Sequence, residues 1–111
     1  MDAKYRGALD RLIGVAQRDS GQSRRVANLL LCWWNADTCG RFDFRDLWSL
    51  DADIKTDAVW LIVYIATHQT YPDSLGFGGI FEALVRKWRP RLVAAQANPH
   101  GSIPAKLPEP D

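Results

Sequence analysis

The sequence predicts an all-α domain: a compact bundle of about four main helices plus one short helix, followed by a flexible proline-rich C-terminal tail. Three observations carry this. Apolar residues recur at helical spacing in several separate stretches. One of these, residues 57–68 (DAVWLIVYIATH), is apolar over much more than a stripe, as expected of a buried central helix. From Asn98 onward the periodicity stops, and four prolines stand among small and polar residues. The expected organisation is a single helical domain over residues 1–97 and a loose tail over 98–111.

The first helix begins near Ala3, with Tyr5, Ala8, Leu9, Leu12, Ile13 and Ala16 on one stripe and Arg6, Asp10 and Arg11 on the other side. Asp19 with Gln22 forms a candidate capping box, so this helix ends near Arg18 and a second starts at once. The second covers roughly residues 20–35. Val26, Ala27, Leu29, Leu30, Trp33 and Trp34 give it a broad apolar face, and Arg24, Asn28 and Asn35 a narrow polar seam, with Arg25 and Cys32 beside it. Gly40 marks the exit turn.

Asp43 is placed to cap a short helix in which Phe44, Leu47 and Trp48 are apolar anchors; a strand is the alternative there. Asp51, Asp53 and Asp57 then load the opening turns of the central helix with acid, opposing the positive end of its dipole. Its expected inward face is Ile54, Ala58, Leu61, Ile62, Ile65 and Ala66, with Asp57, Trp60 and Tyr64 on the far side. The β-branched content of residues 59–65 leaves a buried strand as the competing reading. A loop with Pro72, Gly76, Gly78 and Gly79 follows. Phe77, Ile80, Phe81, Leu84, Val85 and Trp88 mark another helix, and Pro90 opens one or two further turns through Leu92, Val93 and Ala95.

GQSRRVANLLLCWWN at 21–35, Gly40 with FDFRDLWSLD at 42–51, YPDSLG at 71–76 and WRP at 88–90 together resemble an uncharacterised family. It is a small bacterial domain of unknown function, met in proteobacteria and often on plasmids or other mobile elements. The resemblance covers about residues 8–90 and implies no activity, cofactor or binding site. Its mobile-element setting favours an interaction or regulatory role over a metabolic one, by association only.

Charge excludes little but directs attention. The net charge is +1, with six basic and three acidic groups in residues 1–36 and six aspartates against three basic groups in 37–57. Such blocks either attract one another within the fold or form complementary surfaces. The longest apolar run, residues 58–66, is nine residues long, about half a membrane span. No secretory leader precedes Cys32 and Cys39, so a cytoplasmic protein with reduced thiols is expected.

Chemistry is sparse. Cys32, Cys39, His68 and His100 lack the spacing of a structural zinc site, so no metal or other cofactor is expected. Cys32 and His68 would meet if the second and central helices lie side by side, but Asp57 is three turns from that histidine and supplies no triad. Gly76, Gly78 and Gly79 precede a helix without the lysine and strand of a phosphate loop.

Five tryptophans and a nearly all-apolar helix exceed what so small a core easily buries. The expected function is therefore a non-enzymatic protein–protein contact, self-association such as a homodimer being the simplest form, with Asp57, Trp60 and Tyr64 as its surface. The alternative is a nucleic-acid-binding or regulatory protein using Arg24, Arg25, Arg86, Lys87, Arg89 and Arg91. Near-zero net charge and an acidic middle third weigh against it, and no membrane partner is expected.

Overall fold

The helix from Gly21 to Cys39 is the one the others surround. The computed structural model describes residues 1–96, and among them every regular element is helical. In order these are α1 (Ala3–Ala16), α2 (Gly21–Cys39), α3 (Phe44–Trp48), α4 (Ala52–Thr67), a 3₁₀ turn (Pro72–Leu75), α5 (Gly78–Trp88) and α6 (Pro90–Gln96). Four main helices, a short α3 and the turns after Pro90 match the sequence expectation, and the strand alternatives for α3 and α4 fall away. The tail expected over 98–111 lies outside the described residues.

The bundle centre differs from the expectation. Helix α4 buries only Ala58, Leu61 and Tyr64, while Val59 and Val63 on its outer side are exposed. Helix α2 instead buries nine residues and packs against α1, α3, α4 and α5. Hydropathy pointed to α4, but α2 has neighbours on more sides. Its polar seam is no obstacle to burial, because the seam is answered by hydrogen bonds. Asn28 donates to Asp46 Oδ2 of α3 at 3.1 Å and accepts from Arg89 at 2.9 Å. Arg89, between α5 and α6, also donates to the carbonyl of Cys39 at 2.8 Å, so one guanidinium ties the end of α5 to the end of α2.

Local chemistry sets the boundaries. Ser20, not Asp19, caps α2 by accepting from the Ser23 amide at 3.0 Å. Gln22, expected in a capping box, reaches forward instead: it accepts from the Asp51 amide at 2.8 Å and donates to the Ser49 carbonyl at 2.9 Å. It thereby fixes the start of α4 against the start of α2. Asn35, where α2 was expected to end, is the point at which its backbone leaves helical geometry, with φ −161° and ψ 84°; its side chain accepts from the Thr38 amide and starts one more turn. Gly40 has φ 101° and ψ 165°, a conformation open essentially to glycine alone. Asp43 caps α3 as expected, accepting from the Arg45 amide at 2.8 Å.

Three indoles act as cross-ties. Trp88 donates to the Ala16 carbonyl at 2.7 Å and Trp33 to that of Thr70 at 2.8 Å. Trp34 donates to Asp73 Oδ1 at 3.2 Å, holding the 3₁₀ turn against α2. Trp33 also meets the fully buried Phe81 edge-on at 5.9 Å between centroids.

Candidate interaction surface

Helix α4 has two flanks with opposite fates. One turns toward α1 and carries Asp57, Trp60 and Tyr64, the residues expected to face outward. The structure corrects that placement. Tyr64 is 5% exposed, and Tyr5 of α1 stands against it and Trp60 at 5.3 and 5.9 Å between ring centroids. Lys4 lies 4.4 Å above the Trp60 ring. Asp57 accepts two hydrogen bonds from Arg11, at 2.8 and 2.9 Å. The bond to Asp57 and its charge hold the Arg11 guanidinium above its ordinary pKa. The inward face of α4 is thus rotated toward these residues and away from Ala66, which is exposed. Aromatics on α1 supply the partner surface that a helical wheel of α4 alone omits.

The other flank, bearing Ile62 and Ile65, opens onto an apolar cleft of ≈ 810 Å³. Leu29, Cys32 and Trp33 of α2 line it from one side and Ile62 and Ile65 from the other. Phe42 and Phe44 form a lip before and at the start of α3, and His68, Gln69, Thr70 and Tyr71 border it after α4. Its walls are apolar, with polar groups confined to the segment after α4, a composition common in binding clefts.

The short helix α3 adds a projection beside this hollow. Phe44 and Trp48, both expected to anchor the core, are 69% and 68% exposed. They are four residues apart and so share one side of the helix, while Leu47 packs on the core and Asp46 faces α2. A single turn of helix buries one edge, and here that edge is taken by Leu47 and Asp46. Of the five tryptophans, Trp48 is therefore the one left over. The sequence held a signal for this: Phe44 and Trp48 alternate with Asp43, Arg45 and Asp46 in a segment too short to be covered all round.

Cys32 and His68 do line one cleft, as side-by-side packing of their helices implied. The histidine ring stacks on Tyr64 at 4.3 Å, and its Nδ1 lies 2.9 Å from Thr67 Oγ1 and 3.2 Å from the Tyr64 carbonyl. That nitrogen is engaged by the end of its own helix. Burial pushes the Cys39 thiol up, partly offset by the charge of Arg89. Among the described residues, no three His, Cys, Asp or Glu side chains gather so as to hold a metal ion.

The six basic residues of the alternative reading are divided. Arg89 is committed to the ends of α2 and α5, Lys87 pairs with Asp19, and Arg25 lies 4.0 Å from Asp46. Arg24, Arg86 and Arg91 are exposed. Among the described residues, no helix is long and apolar enough to cross a membrane.

Comparison with curated proteins and with solved structures gave no match. A family model does match, over residues 6–89, which runs from the first turn of α1 to just past the end of α5 and includes all of α4. The chain accordingly belongs to the family of unknown function DUF7673.

Proposed function

We propose that this domain is a non-enzymatic protein–protein interaction module, acting in the cytoplasm through the face formed by α3 and the cleft beside it. The observation that carries this reading is the pairing of Phe44 and Trp48, each about two-thirds exposed, with an open apolar cleft of ≈ 810 Å³ at whose lip Phe44 stands. Tryptophan carries interface energy more often than other side chains, and it does so where it can be fully desolvated in a pocket. Exposed aromatics next to a hollow are a patch of the kind that marks contact sites. Asp57, Trp60 and Tyr64, which sequence alone nominated, have their contacts within the chain, so the binding role is moved to the other flank of α4. Two free thiols, Cys32 and Cys39, suit a reducing compartment.

The test compares the parent with a Phe44→Ser, Trp48→Ser double variant. Sedimentation measures self-association, and affinity capture measures association with other proteins. The expected result is a variant with the parent's circular dichroism but weakened association. A parent that associates with nothing, or a variant that binds as the parent does, contradicts the reading. Steeply salt-dependent binding of DNA or RNA, lost on changing Arg24, Arg86 and Arg91, would favour the nucleic-acid alternative.

A further inference from the structure

We infer that the occupant of the cleft is a second copy of this chain, in a two-fold dimer that places Trp48 of each copy in the cleft of the other. The inference rests on the protein-contact reading above and names the partner.

Geometry is the first argument. Phe44 lines the cleft and Trp48 projects one helical turn further along the same side of α3. A projecting apolar group beside a hollow makes a self-complementary surface. A two-fold axis passing close to α3 lets both copies donate and accept at once, which closes the assembly at two chains. A receptor and a projection on unrelated faces would instead propagate head to tail.

Area is the second. Phe44 and Trp48 keep 69% and 68% of their surface exposed. At 150–250 Å² per aromatic, the pair presents roughly 200–340 Å² per copy. A standard interface needs about 800 Å² per partner. The remainder has to come from the cleft walls and from Tyr71, which lines the cleft and is 49% exposed.

Charge is the third. A two-fold contact brings each charge near its own copy, so unneutralised charge on α3 would repel. Here Asp43 accepts from Arg45 at 3.1 and 2.8 Å, and Asp46 turns inward to Asn28 and Arg25. The short helix presents its aromatics with its carboxylates already paired.

Complementation tests this. Trp48→Ala removes the projection, and Cys32→Phe fills the cleft. Each variant alone lacks both reciprocal contacts, but an equimolar mixture restores one, because the open cleft of the first receives Trp48 of the second. Sedimentation equilibrium is expected to show a parent dimer, a loss of dimer affinity on the order of 10- to 100-fold for each variant alone, and recovery in the mixture. If Cys32→Phe does not fold, isotope-filtered nuclear Overhauser spectra of mixed labelled and unlabelled parent replace it: the Trp48 indole of one copy should contact Ile62 and Ile65 of another. A Trp48→Ala protein that dimerises like the parent, a mixture that shows no recovery, or a parent dimer without contact between Trp48 of one copy and the cleft of the other overturns the inference. So does a parent that is monomeric at about 1 mM. That last result leaves the broader reading standing if a foreign protein still binds through Phe44 and Trp48.

Discussion

The two flanks of α4 contrast in how their aromatic neighbours are used. On the α1 side, Tyr5, Trp60 and Tyr64 pack on one another under Lys4, and Arg11 closes the edge by bonding Asp57. On the other side, Phe44 and Trp48 stand in solvent beside an open cleft. Both regions are aromatic, and both adjoin one apolar helix. The difference is what packs alongside: fourteen residues of α1 run against the first flank, whereas five residues of α3 guard the second. A long helix covers a neighbour's side chains along several turns, and a single turn does not. Exposure of aromatics here therefore follows from element length rather than from composition.

The contrast fixes where stability and association should separate. The largest expected effect is on the α1 flank. Tyr64→Ala opens a cavity among Tyr5, Trp60 and His68 and should cost about 3–5 kcal/mol in chemical denaturation, with dimer affinity per folded molecule unchanged. A cost under about 1 kcal/mol would mean that this flank is not packed as described. Next is Arg89→Ala, which removes the donors to the Cys39 carbonyl and Asn28 and should cost about 2–3 kcal/mol. It tests whether the polar seam of α2 is a structural tie rather than a free surface for phosphate.

Trp48→Ala should change monomer stability by no more than about 0.5 kcal/mol, because most of the side chain is already in water. Unfolding by this single change would erase the distinction between the flanks. The smallest effect concerns Cys39. Burial raises its folded-state pKa, so as pH rises the unfolded chain releases the thiol proton first. Stability is whole below the unfolded thiol's pKa of about 8.5 and declines above it until the folded thiol also ionises. Replacing Cys39 by alanine should remove that part of the alkaline decline. An identical slope in parent and variant would contradict it.

Much of the fold was legible in the sequence. The apolar stripes of α1 and α5, the Asp43 cap, Gly40 and the start of α6 at Pro90 are local features, and local spacing sets them. What was not legible depends on neighbours. Apolar content singled out α4 as the centre, yet α2 holds that position because Arg89 and Asp46 satisfy its polar seam from distant parts of the chain. A helical wheel groups Asp57, Trp60 and Tyr64 correctly on one side, but whether that side meets solvent depends on Tyr5 and Arg11. The surplus of tryptophan inferred from composition corresponds to a single residue, Trp48, and only the lengths of the packed elements identify which one.

The most direct test of the central claim is the indole N–H region of a proton–nitrogen correlation spectrum, recorded while the parent is diluted through its association range. Five tryptophans give five reporters in one experiment. Trp48 should shift markedly on dilution, as it leaves the partner's cleft for water, while Trp60 stays fixed in its contact with Tyr5 and Lys4. A Trp60 resonance that moves while that of Trp48 does not would put the association surface on the α1 flank and contradict the account.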